Sequence, residues 1–101
     1  MKFLTFAMYE PSKTADVAQA ADKVAQTPGI KPLNRYVCMG IPFPGVSQDL
    51  MCTVTVNEAE SSEAMAALSY PIRLAGASVW WVPVMEYEVG TAADVEKKYR
   101  G

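Results

Sequence analysis

Histidine is missing from all 101 residues of this sequence. It is the commonest general acid–base side chain and a frequent metal ligand, so its absence excludes Ser-His-Asp and Cys-His catalytic arrangements and histidine-based zinc sites. Methionine and cysteine are present, but they fall at ordinary core spacing rather than in a ligand motif. We therefore expect neither a metal site nor a cofactor.

An excess of positive charge is missing too, because nine Lys and Arg residues face eleven Asp and Glu residues. Proteins that bind a phosphate backbone carry clustered positive charge, so we expect no nucleic-acid partner. Long apolar runs are also absent: the first segment is interrupted by Glu10 and Pro11, too early for a signal peptide or a membrane span. We expect a cytoplasmic protein with no membrane partner, and free thiols at Cys38 and Cys52.

What is present suffices for one folded domain over residues 1–101, since half of the residues are apolar and a fifth are charged. Apolar periodicity and turn residues predict a succession of strands and helices. The predicted elements are a strand at 2–9, a helix at 15–26 capped by Thr14, strands at 33–39 and 50–57, a helix starting near Ser61 and disturbed at Pro71, a strand at 78–89 with an edge position for Pro83, and a short helix capped by Thr91.

The order strand-helix-strand-strand-helix-strand is typical of an α+β, ferredoxin-like βαββαβ fold with an antiparallel sheet. Two helices can cover only one face of such a sheet. We assign ten residues to the other face: Thr5, Ala7, Tyr9, Tyr36, Thr53, Thr55, Trp80, Val82, Val84 and Glu86. This face is too apolar to remain in water, so we expect a homodimer in which a partner sheet covers it.

Three segments carry a resemblance to a known superfamily: residues 29–36, the helix end 68–71, and the strand segment 82–84. With these, the chain resembles the dimeric α+β barrel proteins, and within them a branch of short bacterial and archaeal proteins. The superfamily includes cofactor-free quinol monooxygenases, haem-degrading enzymes, haem peroxidases, isomerases and stress-induced proteins. The resemblance implies two sheets that meet face to face around a cavity, while the lack of histidine argues against the haem branches.

The predicted site lies in that cavity between the sheets, where aromatic and hydroxyl side chains would hold a flat ligand. The ligand-binding candidates are Tyr9, Tyr36, Thr53, Thr55, Trp80, Val82 and, from a possible lid at residues 40–48, Phe43. Arg35 precedes Tyr36, but adjacent strand residues point to opposite faces, and alternation favours Tyr36 as the residue that enters the cavity.

Glu86 and Tyr36 are the catalytic candidates. Desolvation in an apolar cavity would raise the pKa of Glu86 and make it a proton acceptor near neutral pH. The competing interpretation is that Glu86 lies at the strand end in water or pairs with Arg35.

The sequence therefore favours a dimer that binds a small, mostly apolar organic molecule. Whether it is an enzyme stays open; cofactor-independent oxygenation or isomerisation of an aromatic or enolisable substrate suits an apolar cavity with a proton acceptor. The alternative is a non-catalytic structural dimer with no ligand cavity. A void of small-molecule size supports the first interpretation, whereas core-like packing supports the second.

Overall fold

The computed structural model describes residues 1–86 and 88–101. Its elements are β1 (Lys2–Tyr9), α1 (Thr14–Val24), β2 (Ile30–Val37), β3 (Met51–Ala59), α2 (Ser62–Leu74), β4 (Ser78–Val84) and α3 (Ala92–Arg100). A 3-10 turn at Pro11–Lys13 leads into α1. Within these described ranges, no helix is long and apolar enough to cross a membrane.

The four strands form one sheet in the order β2-β3-β1-β4, and each neighbouring pair is antiparallel. This α+β architecture is consistent with a ferredoxin-like fold. The two edge strands each contain a proline, Pro32 in β2 and Pro83 in β4, and an edge strand is where a sheet tolerates a residue without an N–H. The edge position predicted for Pro83 is confirmed.

Helices α1 and α2 pack on the same face of the sheet, which we call the helix face; the other is the open face. The α2 helix begins at Ser61, whose hydroxyl accepts a hydrogen bond from the Ala64 amide at 3.1 Å. It then buries Met65, Leu68 and Ile72 against the sheet. The larger buried helix side chains therefore lie beneath α2, while α1 buries only two valines.

Several predicted boundaries are wrong. Strand β2 begins and ends earlier than predicted, and β4 ends at Val84 rather than at residue 89; Tyr87, within the predicted strand, lies outside the described residues. Thr14 is the first residue of α1 instead of its cap, and its hydroxyl donates to the Pro11 carbonyl at 2.7 Å. Helix α2 continues through Pro71, which is exposed, as is Ala67, so water can solvate the carbonyl that loses its helical donor.

The strand register corrects half of the predicted face assignment. Thr5 lies opposite Thr55 and Trp81, whereas its neighbour Phe6 lies opposite Val54 and Trp80. Directly paired residues share a face, so Thr5 and Trp80 lie on opposite faces. The predicted open-face set divides accordingly: Thr5, Ala7, Tyr9, Thr53 and Thr55 lie on the helix face, where the prediction is wrong, while Tyr36, Trp80, Val82 and Val84 lie on the open face as predicted.

Candidate functional site: a cavity beneath helix α1

A cavity of about 230 Å³ lies between α1 and the helix face of the sheet. Its walls come from β1, β2, β3, α1, α2 and the first part of β4. The lining residues are Thr5, Ala7, Tyr9, Thr14, Val17, Ala18, Ala21, Val24, Ala25, Pro32, Arg35, Val37, Thr53, Thr55, Asn57, Leu68, Ile72 and Val79. Three predicted ligand-binding residues, Tyr9, Thr53 and Thr55, therefore meet at one cavity, but on the side of the sheet opposite to the one predicted.

The roof of the cavity is built from small side chains of α1. Ala18 and Ala21 of α1 and Ala25 just after it line the cavity; Ala18 and Ala25 also face solvent, and only Val17 and Val24 of this helix are buried. Alanine methyl groups cannot reach across to the strands, in contrast to the long side chains of α2. The void thus follows from the composition of the helix rather than from an irregular backbone.

The floor of the cavity is polar, and two of its side chains are hydrogen-bonded to each other. Asn57 is 2% exposed and its Nδ2 donates to the Thr5 Oγ1 at 2.8 Å. Thr55 lies directly opposite Thr5 on the neighbouring strand. A row of hydroxyl and amide groups therefore underlies an apolar roof, an arrangement that can orient a ligand by a few directed hydrogen bonds.

Tyr9 closes one end of the floor and is 7% exposed. Its hydroxyl is not an orphaned buried group, because no buried side-chain nitrogen or oxygen among the described residues lacks a hydrogen-bond partner. Burial raises the pKa of the phenol above its ordinary 10, a nearby Cys52 charge adds to the rise, and the Arg35 guanidinium opposes it. At neutral pH Tyr9 is therefore a neutral hydrogen-bond donor that faces the cavity.

Arg35 belongs to this cavity, although the sequence favoured Tyr36 for the predicted site. Arg35 pairs with Thr55 on the helix face, and the next residue, Tyr36, pairs with Val54 on the open face. The side chain of Arg35 is largely exposed, and its charge acts on the phenol of Tyr9. A cation thus stands at the cavity, where the sequence predicted a phenol from Tyr36.

On the open face, the loop at residues 40–48, which we call the strap, folds back over the sheet. Phe43 packs against Phe6 and Trp80 with ring centroids 5.4 and 5.5 Å away, and Phe6 stacks on Trp80 at 5.5 Å. Gln48 fastens the strap by accepting from the Ile41 amide at 2.9 Å and donating to the Ile41 carbonyl at 3.2 Å. The predicted ligand-binding residues Phe43 and Trp80 are therefore in contact with each other and with Phe6.

Three other predicted site residues lie on or beside the open face, and each is exposed. Tyr36 is 58% exposed and Val82 is 44% exposed. The Glu86 carboxylate accepts from Lys2 Nζ at 2.7 Å, not from Arg35, and its side chain is 76% exposed. Within one chain, Glu86 thus lacks the burial that its predicted role as a proton acceptor requires.

Sequence reasoning missed Arg35, Asn57 and the alanines of α1 as cavity residues. A usable signal was present in β3, where Thr53, Thr55 and Asn57 recur at a spacing of two on a face that the strand buries. Polar residues in such a row need partners, and here they form the floor of a void.

No family model and no curated protein matches this chain. Solved structures share its fold. The C-terminal domain of the MgtC protein from Mycobacterium tuberculosis has a TM-score of 0.60 at 12% identity, covering 87% of this chain and 92% of that one. An uncharacterized protein from Thermotoga maritima has a TM-score of 0.54 at 14% identity, covering 83% and 96%. A DUF3240 family protein from Shewanella baltica has a TM-score of 0.52 at 12% identity, covering 87% and 94%. At these identities the similarity shows a small α+β fold and no more.

Proposed function

We propose that this protein binds a small, mostly apolar organic molecule in the cavity beneath α1. The observation that carries this proposal is the alanine roof, which leaves about 230 Å³ above a floor of hydroxyl and amide groups. An apolar cavity of about 150 Å³ is large enough to hold benzene. The cavity therefore suits a molecule of about one ring with a substituent, or a branched aliphatic molecule of similar size.

Binding rather than turnover is the function that the lining favours. Among the residues that line the cavity, none is Asp, Glu or Cys, and the titratable groups are Tyr9 and Arg35. A general base must lose its proton near neutral pH, and the raised pKa of Tyr9 acts against this. The cofactor-independent oxygenase or isomerase suggested by the sequence would require a proton acceptor from elsewhere, and Glu86 and Tyr36 lie on the other side of the sheet.

Filling the cavity tests the proposal. In Ala21→Leu the added isobutyl group occupies the void, so binding of small organic probes, measured by isothermal titration calorimetry, should fall at least tenfold. Ala15→Leu makes the same substitution on an exposed position of the same helix and should bind as the wild type does. Equal binding by the Ala21→Leu variant and the wild type would place the ligand outside this cavity.

We further propose that the open face joins two copies of the chain in a homodimer. Val82, Val84 and Tyr36 expose apolar surface there beyond the strap, and exposed apolar surface grouped on one face is typical of protein–protein contacts. The same face bears Lys2 and Glu58, so that a two-fold axis can bring opposite charges together. The dimeric α+β barrel that the sequence resembles would be formed in this way.

A further inference from the structure

The charge that lines the cavity is positive. Arg35 is the single charged residue among those that line it. Within the described residues Arg35 forms no ion pair; the ion pairs there join the N-terminus to Glu58, Lys2 to Glu86, and Arg100 to Glu96. An unneutralised guanidinium beside an apolar void favours an anionic ligand and disfavours a cationic one.

Further hydrogen-bond donors line the same cavity. Tyr9 is 7% exposed and lines the cavity together with Arg35, and the charge of Arg35 acts on the pKa of the Tyr9 phenol, so the two groups lie within electrostatic reach of each other. Thr53 and Thr55 occupy the strand between them. An ionised carboxylate accepts hydrogen bonds only, so a cluster of donors with no acceptor charge complements it.

We propose that the ligand of this cavity is a small monocarboxylic acid whose carboxylate is bound by Arg35 and Tyr9 and whose apolar body lies beneath Ala18 and Ala21. This inference rests on the proposed binding function and adds the chemical class of the ligand. The cavity volume limits the body to about one ring or a short branched chain, since a void of about 150 Å³ already holds benzene. A planar guanidinium fits the carboxylate through two parallel hydrogen bonds.

Three probes of nearly equal shape separate charge from size: phenylacetate, 2-phenylethanol and 2-phenylethylamine. We expect calorimetric titrations at neutral pH to show phenylacetate binding at least tenfold more tightly than the alcohol, and the amine binding more weakly than either. Equal affinities for the acid and the alcohol would overturn the assignment to carboxylates while leaving the cavity as a binding site.

Substitutions that each remove one side-chain group test whether Arg35 and Tyr9 bind the carboxylate. Arg35→Gln should weaken phenylacetate binding at least tenfold and leave 2-phenylethanol binding unchanged, and Tyr9→Phe should show a smaller loss of the same kind. Lys31→Gln removes the same charge from the same strand, but Lys31 pairs with Glu58 on the open face, so this control should bind as the wild type does.

A loss of phenylacetate binding that is equal in the Arg35→Gln and Lys31→Gln variants would reflect net charge alone and would contradict the proposal. If none of the three probes bound the wild type, both the carboxylate assignment and the binding function would fail. The two results are distinguishable because 2-phenylethanol reports on the cavity without the guanidinium.

Discussion

Cys38 and Cys52 lie side by side where β2 and β3 begin to separate. The Cys38 amide donates to the Cys52 carbonyl at 2.9 Å, and both thiols are free. Cys52 is 1% exposed, and burial first, then the charge and hydrogen bond of Cys38, raises its pKa to about 11. Cys52 is therefore a small buried side chain whose thiol keeps its proton under ordinary conditions, whereas Cys38 is only partly buried.

Alkylation should therefore be slow at Cys52. Since the thiolate is the reactive form, a pKa of about 11 instead of 9 lowers its population at pH 8 roughly a hundredfold. We expect iodoacetamide labelling of Cys52, followed by peptide mass spectrometry, to rise about tenfold per pH unit up to pH about 11. In the Cys38→Ser variant the labelling rate of Cys52 should still rise well above pH 9, because burial is the main cause of the raised pKa. A labelling rate that levels off near pH 9 would contradict this explanation of the pKa.

At the scale of elements, periodicity located the strands better than it assigned their faces. Strand β1 was predicted at the residues where it lies, because its alternation is uninterrupted up to Glu10 and Pro11. Its faces are both rich in apolar residues, however, and Phe3, which is 1% exposed, lies on the same face as Thr5 and Tyr9. A period of two fixes which residues share a face but not which face the helices cover, so the cavity beneath α1 could not be located from sequence.

The sequence indicated that the strap folds over the protein, because solvent-exposed loops rarely carry an isoleucine, a phenylalanine and a valine within nine residues. We expect Phe43→Ala to lower the free energy of unfolding by about 2 kcal/mol, since a half-buried ring and two aromatic contacts are lost. Urea denaturation measures this loss, and hydrogen exchange at the Ile41 amide should quicken.

Met39→Ala is the control for this prediction, because the Met39 side chain lies beside the strap and is fully exposed. Its effect should stay within about 0.5 kcal/mol, as for most surface substitutions. If the two variants were equally stable, the contacts of Phe43 with Phe6 and Trp80 would contribute nothing to the fold.

For the whole molecule, the proposed association through the open face can be tested by substitution. Val82→Asp places a charge on the exposed apolar part of this face and should convert a dimer to a monomer in sedimentation velocity experiments, with an unchanged circular dichroism spectrum. Val89→Asp makes the same change at a residue that is 98% exposed and lies outside the sheet, so it should sediment as the wild type does. A wild-type monomer at about 100 µM, a concentration well above the Kd of a stable dimer, would exclude the proposed interface.

The prolines of the two edge strands disfavour pairing between the sheet edges of different copies. Pro32 lacks a donor on the β2 edge, next to a shift in register between Pro32 and Asn34, and Pro83 lacks one on the β4 edge. Neither edge offers the unbroken row of N–H groups that another sheet would need in order to continue the ladder. If two copies meet through their open faces as proposed, these edges disfavour the addition of further strands, and the assembly is expected to end at a closed pair.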